Sequence, residues 1–107
     1  MKLTNEVIDT IYTELADATK AYTERAFAHT KIEQDLKAII AEATASGHIT
    51  GKNQQLRDAA AREMFGDKFH ALEGSALFVA SDKLRLDLAK IEIERAKMTL
   101  RVMELSA

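Results

Sequence analysis

Residues 67–106 carry two apolar stripes, and no other feature constrains the fold of this chain as much. The first runs Leu77, Ser81, Leu84, Leu88, Ile91, Arg95, Met98, Val102 and Leu105, in steps of four and three. The second, Leu72, Val79, Leu86, Ile93 and Leu100, returns every seventh residue. Both spacings are helical, and at 100° per residue the stripes lie about 170° apart around one helix. A helix that is apolar on both sides needs cover on both sides. One neighbouring helix supplies only half of it.

That neighbour is legible in the first half of the chain. Apolar residues recur at Ile8, Ile11, Leu15, Ala18, Tyr22, Ile32, Leu36, Ile39 and Ala43, again alternating three and four. This is the spacing of a heptad seam. Thr4 suits an N-cap, and Glu6 suits the positive end of a helix. Gly47 sits where the pattern stops and can take a left-handed conformation cheaply. The seam therefore predicts a helix over residues 5–46, about 60 Å long. It is interrupted once, at Arg25 and His29. Either these side chains reach water at a wet edge, or they form a polar layer that fixes register, with Arg95 as its third member.

Residues 53–65 read as a shorter helix, with Asn53 as N-cap accepting from the amides of Gln55 or Leu56. Gly66-Asp67 and Gly74-Ser75 are two places for the next break, with Asp67 capping a last helix over 67–106. Alternatively one helix runs on through Gly66, at a cost of about 1 kcal/mol relative to alanine. With a break, two long antiparallel helices of equal length result. If Ser46 lies opposite Asp67, facing residue numbers sum to 113. Ile11 then meets Val102, Leu36 lies near Leu77, and Arg95 falls opposite Ala18 with Asp17 or Glu14 in reach.

Composition agrees with this all-α reading. Proline is absent and only four glycines occur, poor material for a turn-rich β protein. Length allows one domain. Net charge is −2, from 15 basic and 17 acidic residues, whereas a general phosphate-binding surface shows a basic excess. With no cysteine there is no disulfide framework and no thiolate chemistry. No apolar h-region opens the chain. The longest apolar run, Ala76 to Ala80, falls far short of the roughly 20 residues of a membrane span. A cytoplasmic location away from membranes is the expectation.

Only one stretch looks like chemistry, "SGHITGKNQQLRDAAAR" from Ser46 to Arg62. A P-loop needs four residues between its glycines, a hydroxyl after the lysine and a preceding strand. Gly47 and Gly51 have three between them, Asn53 follows Lys52, and no strand precedes. The structural reading as helix stop, turn and N-cap accounts for every residue. A di-iron bundle needs E-x-x-H on two helices. His29, His48 and His70 offer none, only His70 and Glu73 in reverse order. No carboxylate pair stands out for acid–base work, and no nucleophile elbow occurs. Catalytic, cofactor and metal residues are therefore not assigned. Lys83, Lys90 and Lys97 stand one heptad apart and form a ladder that can contact phosphates. Asp82, Asp87, Glu92 and Glu94 are interleaved nearby, so a solvated face is the plainer reading.

The turn Ile49-Thr50-Gly51-Lys52-Asn53, followed by Arg57, resembles one in small helical proteins of phages and prophages, where a GKN…R turn joins long helices. That family has no assigned activity. The resemblance implies an accessory role in a phage or mobile element and no catalytic residues. Secreted helical hairpins with a W-x-G turn share only the shape, since this chain has no tryptophan.

The expectation is an all-α, long antiparallel helical hairpin with a short connecting helix, self-associating into a bundle. Its function would be that of a non-catalytic interaction or scaffold protein. The first stripe is assigned to the partner helix within the chain. The second, Leu72, Val79, Leu86, Ile93 and Leu100, is assigned to a second copy, giving a homodimer with a four-helix core, or failing that to a different partner protein. The alternative is a nucleic-acid-associated accessory using the lysine ladder.

Overall fold

The computed structural model describes residues 3–106. Three helices follow one another, α1 (Asn5–Ala45), α2 (Gln54–Met64) and α3 (Gly66–Ser106). No strand occurs among the described residues. The long α1 packs against α3 as a hairpin.

The ends of the helices follow from local chemistry. The Thr4 hydroxyl accepts from the Val7 amide at 3.2 Å, capping α1. At the other end Gly47 takes φ +81. The His48 amide then reaches back to the Ala43 carbonyl at 2.9 Å and the Gly47 amide to Thr44 at 3.2 Å, the two bonds of a Schellman stop. Asn53 caps α2 with its side-chain oxygen 2.9 Å from the Leu56 amide.

The break between α2 and α3 falls at Phe65, not at Gly74-Ser75. The Phe65 amide closes α2 on the Ala61 carbonyl, and the Phe65 carbonyl accepts the first bonds of α3, from Lys68 and Phe69. Asp67 therefore does not cap α3. It sits inside the first turn, where its charge still favours the positive helix end.

The chain divides into two compact units. One comprises the described residues up to Arg25 together with those from Val79 onward; the other is Ala26–Phe78. In the first, Ala18 forms a core with Leu86 and Ala89, flanked by Leu15 and Tyr22. In the second, Ala43, Ile49 and Ala61 form another, flanked by Ile40, Ala60, Phe65 and Phe69. Gly51 lets the turn pass close over α2, since a Cβ there would lie 2.9 Å from Leu56 Cβ.

The facing register differs from the expected sum of 113. Ala18 packs with Leu86, whose numbers sum to 104, and His29 meets Ser75, which gives 104 again. The reason lies partly at the turn. Phe65 and Phe69 pack against the buried cluster of Ala43, Ile49 and Ala61, so Asp67 does not start level with Ser46. A second consequence is an overhang. On a sum of 104, Asn5 faces Thr99, and every residue from Leu100 to Ser106 is exposed.

Candidate functional site

The two stripes of α3 exchange the roles read from the sequence. Of the set assigned to a second copy, Leu86 and Ile93 are each 5% exposed, while Leu72 and Val79 are half-buried. Only Leu100, in the overhang, is open to solvent. Leu72, Val79, Leu86 and Ile93 are the α3 side of the α1–α3 seam, so these four are not available as an oligomer interface. Between them, also at intervals of seven, lie Ser75, Asp82, Ala89 and Ala96. Ala89 and Ala96 are buried, and their small side chains let the helices approach closely.

The polar layer explains the choice. Arg25 Nε lies 2.8 Å from Asp82 Oδ2, with Asp82 largely covered and Arg25 half-exposed. His29 Nδ1 lies 3.1 Å from Ser75 Oγ. Arg25 and His29 thus face α3 and meet polar partners there. On the expected register Arg25 would have met Leu88 and His29 would have met Leu84. A charge set against leucine without a partner is costly. Arg95 is not a member of this layer. It lies on the outer face and pairs with Glu92 of its own helix at 3.2 Å. The guanidinium reaching Glu14 is that of Arg85, through Nε at 2.6 Å and a second nitrogen at 3.1 Å. Sequence reasoning missed Asp82 and Ser75, although their spacing within the second stripe was a usable signal.

What faces outward is the first stripe. Leu84, Leu88, Ile91, Met98, Val102 and Leu105 are all more than half exposed on α3. Leu84 and Leu88 also line a groove of about 540 Å³ with Ile11, Thr10 and Glu14 of α1. Its rim is charged, with Arg85 and Glu92 on the α3 side. The bidentate hydrogen bond from Arg85 holds the Glu14 carboxyl below its ordinary range, and Glu14 in turn raises Arg85.

The lysine ladder flanks the seam. Lys83 pairs with Asp87 at 2.8 Å, which raises its pKa, and its ammonium lies 5.9 Å from the centre of the Tyr22 ring. Lys97 pairs with Glu94 at 3.4 Å. Two of the three ladder cations are thus matched by carboxylates of their own helix, and Lys90 is exposed between them.

The glycine-containing turn works as structure. Arg57 donates to the Gly51 carbonyl at 3.3 Å and to Gln54 at 3.3 Å. Ser46 Oγ stands 2.7 Å from His48 Nδ1, and its hydroxyl lies 2.9 Å from the Glu42 carbonyl. Among the described residues no group of three or more His, Cys, Asp or Glu side chains converges as a metal site would require. No helix among them is long and apolar enough to cross a membrane. No protein family model, curated protein or solved structure matches this chain.

Proposed function

We propose that this protein is a non-catalytic helical scaffold that assembles with a second copy of itself through the outward stripe of α3. The observation that carries this reading is the exposure of Leu84, Leu88, Ile91, Met98, Val102 and Leu105 along one helix face. Each is large and apolar, and burying each stabilises by up to about 1.5–3 kcal/mol, less what it already buries. Surface area points the same way. The chain exposes 8118 Å², against about 6000 Å² for a folded monomer of its mass. The excess exceeds the roughly 800 Å² that each partner of a standard interface buries. A phage or mobile-element accessory role is supported by the GKN…R turn alone, and neighbouring genes test it.

Light scattering on the purified chain at micromolar concentration should give twice the monomer mass. Leu88→Asp combined with Ile91→Asp should give a monomer that keeps its helical circular dichroism, because both positions lie outside the α1–α3 seam. A wild-type monomer under these conditions overturns the proposal and leaves the stripe to a different partner protein.

A further inference from the structure

We infer that the two copies pair antiparallel, α3 against α3, about an axis between Leu88 and Ile91, and that the assembly closes at two. This rests on the self-association reading above and adds orientation, register and closure. The stripe itself carries one charge, Arg95. On one flank of it lie Arg85 and Glu92, and on the other Asp87, Glu94 and Arg101. In a parallel pair each residue faces its own copy. Arg95 would then meet Arg95 in the apolar centre, and Asp87 would lie beside Glu92 of the other copy. Charges at such flanking positions set orientation in paired helices.

An antiparallel pair whose facing numbers sum to 179 avoids the central clash. Leu88 then meets Ile91, Leu84 meets Arg95, Ser81 meets Met98, and Leu77 reaches Val102. Arg85 comes beside Glu92 of the other copy, twice by symmetry. The one unfavourable approach, Asp87 to Glu94, is between carboxylates already paired with Lys83 and Lys97. A shift of one heptad in one direction sets Asp87 on Asp87 and Arg85 on Arg85. In the other direction it sets Glu92 on Glu92 and Glu94 on Glu94. A second shift in that direction carries Leu84 past the end of the facing α3, which closes at Ser106.

Closure at two follows from the symmetry of the pair. An antiparallel α3–α3 contact is isologous: the same stripe serves both copies, and each is covered once the pair has formed. A heterologous stack, which would continue indefinitely, needs the stripe to meet a different surface. The large apolar side chains exposed outside it, among them Tyr12, Phe27 and Phe78, are not part of the paired stripe.

The test uses single-cysteine chains, since the protein has no cysteine of its own. Ser81→Cys and Met98→Cys chains are mixed, allowed to exchange and oxidised, and the bridged products are weighed by mass spectrometry. Bridge formation needs Cα atoms within about 7 Å. The expected product joins position 81 of one chain to position 98 of the other. Bridges of 81 to 81 and 98 to 98 would mean a parallel pair and overturn the inference. A dimer by light scattering with neither kind of bridge would overturn the register, and assemblies larger than two would overturn closure. A monomer would instead overturn the self-association reading beneath it.

Discussion

Leu84 and Leu86 are two residues apart, chemically identical and physically opposite. Leu86 is buried with Ala18 and Ala89, whereas Leu84 faces solvent. Leu86→Ala should therefore cost about 2–4 kcal/mol in urea unfolding, from lost transfer energy plus a residual cavity. Leu84→Ala should change the stability of the separated chain by less than about 0.5 kcal/mol. Equal costs would mean that the seam does not distinguish the two stripes. The Arg25–Asp82 pair makes a second case. Asp82→Ala leaves the guanidinium facing an apolar seam, but Arg25 is half-exposed and reaches water. The cost should be about 1 kcal/mol, well under that of a fully buried pair. Replacing both by leucine should recover it, as a double-mutant cycle can measure. Glu14 gives a pH dependence. Its carboxyl is held low in the folded chain by Arg85. Its contribution is thus present above the ordinary glutamate value of about 4.3 and is lost as pH falls through the lower folded value. The stability difference between wild type and Glu14→Gln should be steady near neutral pH and vanish in acid. It should also shrink in high salt, because the pair is exposed.

At the scale of elements, the turn between α1 and α2 is specified by three residues acting separately. Gly47 holds a left-handed conformation, so Gly47→Ala should cost about 1–2 kcal/mol. Asn53→Ala removes the acceptor for the Leu56 amide and should cost about 1 kcal/mol. Thermal unfolding of the two single variants and the pair checks both values. The break before α3 has a different origin. Gly66 is helical, and what interrupts the chain is Phe65, whose ring packs beside Ala43 and Ile49. Arg62 lies over the ring of Phe69, 4.8 Å from its centre, and joins the last turn of α2 to the first of α3. Propensity alone left a continuous helix open, because a glycine in a helix costs little compared with an aromatic anchor.

At the scale of the whole molecule, nine apolar residues are buried and no buried side chain is polar or charged among the described residues. Four of the nine are alanines of the helices α1 and α3. Such a core buries little area per residue, and much of the remaining apolar surface belongs to the outward face of α3. If that face is covered by a second copy, folding and association are linked. The unfolding midpoint should then rise with protein concentration, as ligand binding to the native state requires. A midpoint that is the same over a hundredfold range of concentration would speak against an obligate pair. Nucleic acid is the competing partner. Because Lys83 and Lys97 are matched by Asp87 and Glu94, binding to an oligonucleotide should be absent even at 50 mM salt, where phosphate contacts are strongest.

Periodicity, caps and breakers are local, and local rules were enough for the three helices, for Thr4, Gly47 and Asn53 at their ends, and for the seam of α1 from Ile8 to Ala43. They were enough also for the central fact that α3 is apolar on two sides. Which side meets α1 was not a local question. Counted by size, the stripe of Leu84, Leu88 and Ile91 is as good a partner as that of Leu86 and Ile93. What separates them is the residues in between. The inner face offers Asp82 to Arg25, Ser75 to His29, and the small side chains of Ala89 and Ala96 where the helices come close. Pairing of a charge across the seam depends on register, and the register that sets Ala18 against Leu86 also sets Arg25 against Asp82. Those contacts exist only once the chain has folded back on itself, so the tertiary structure alone decided which leucines became core and which were left facing water.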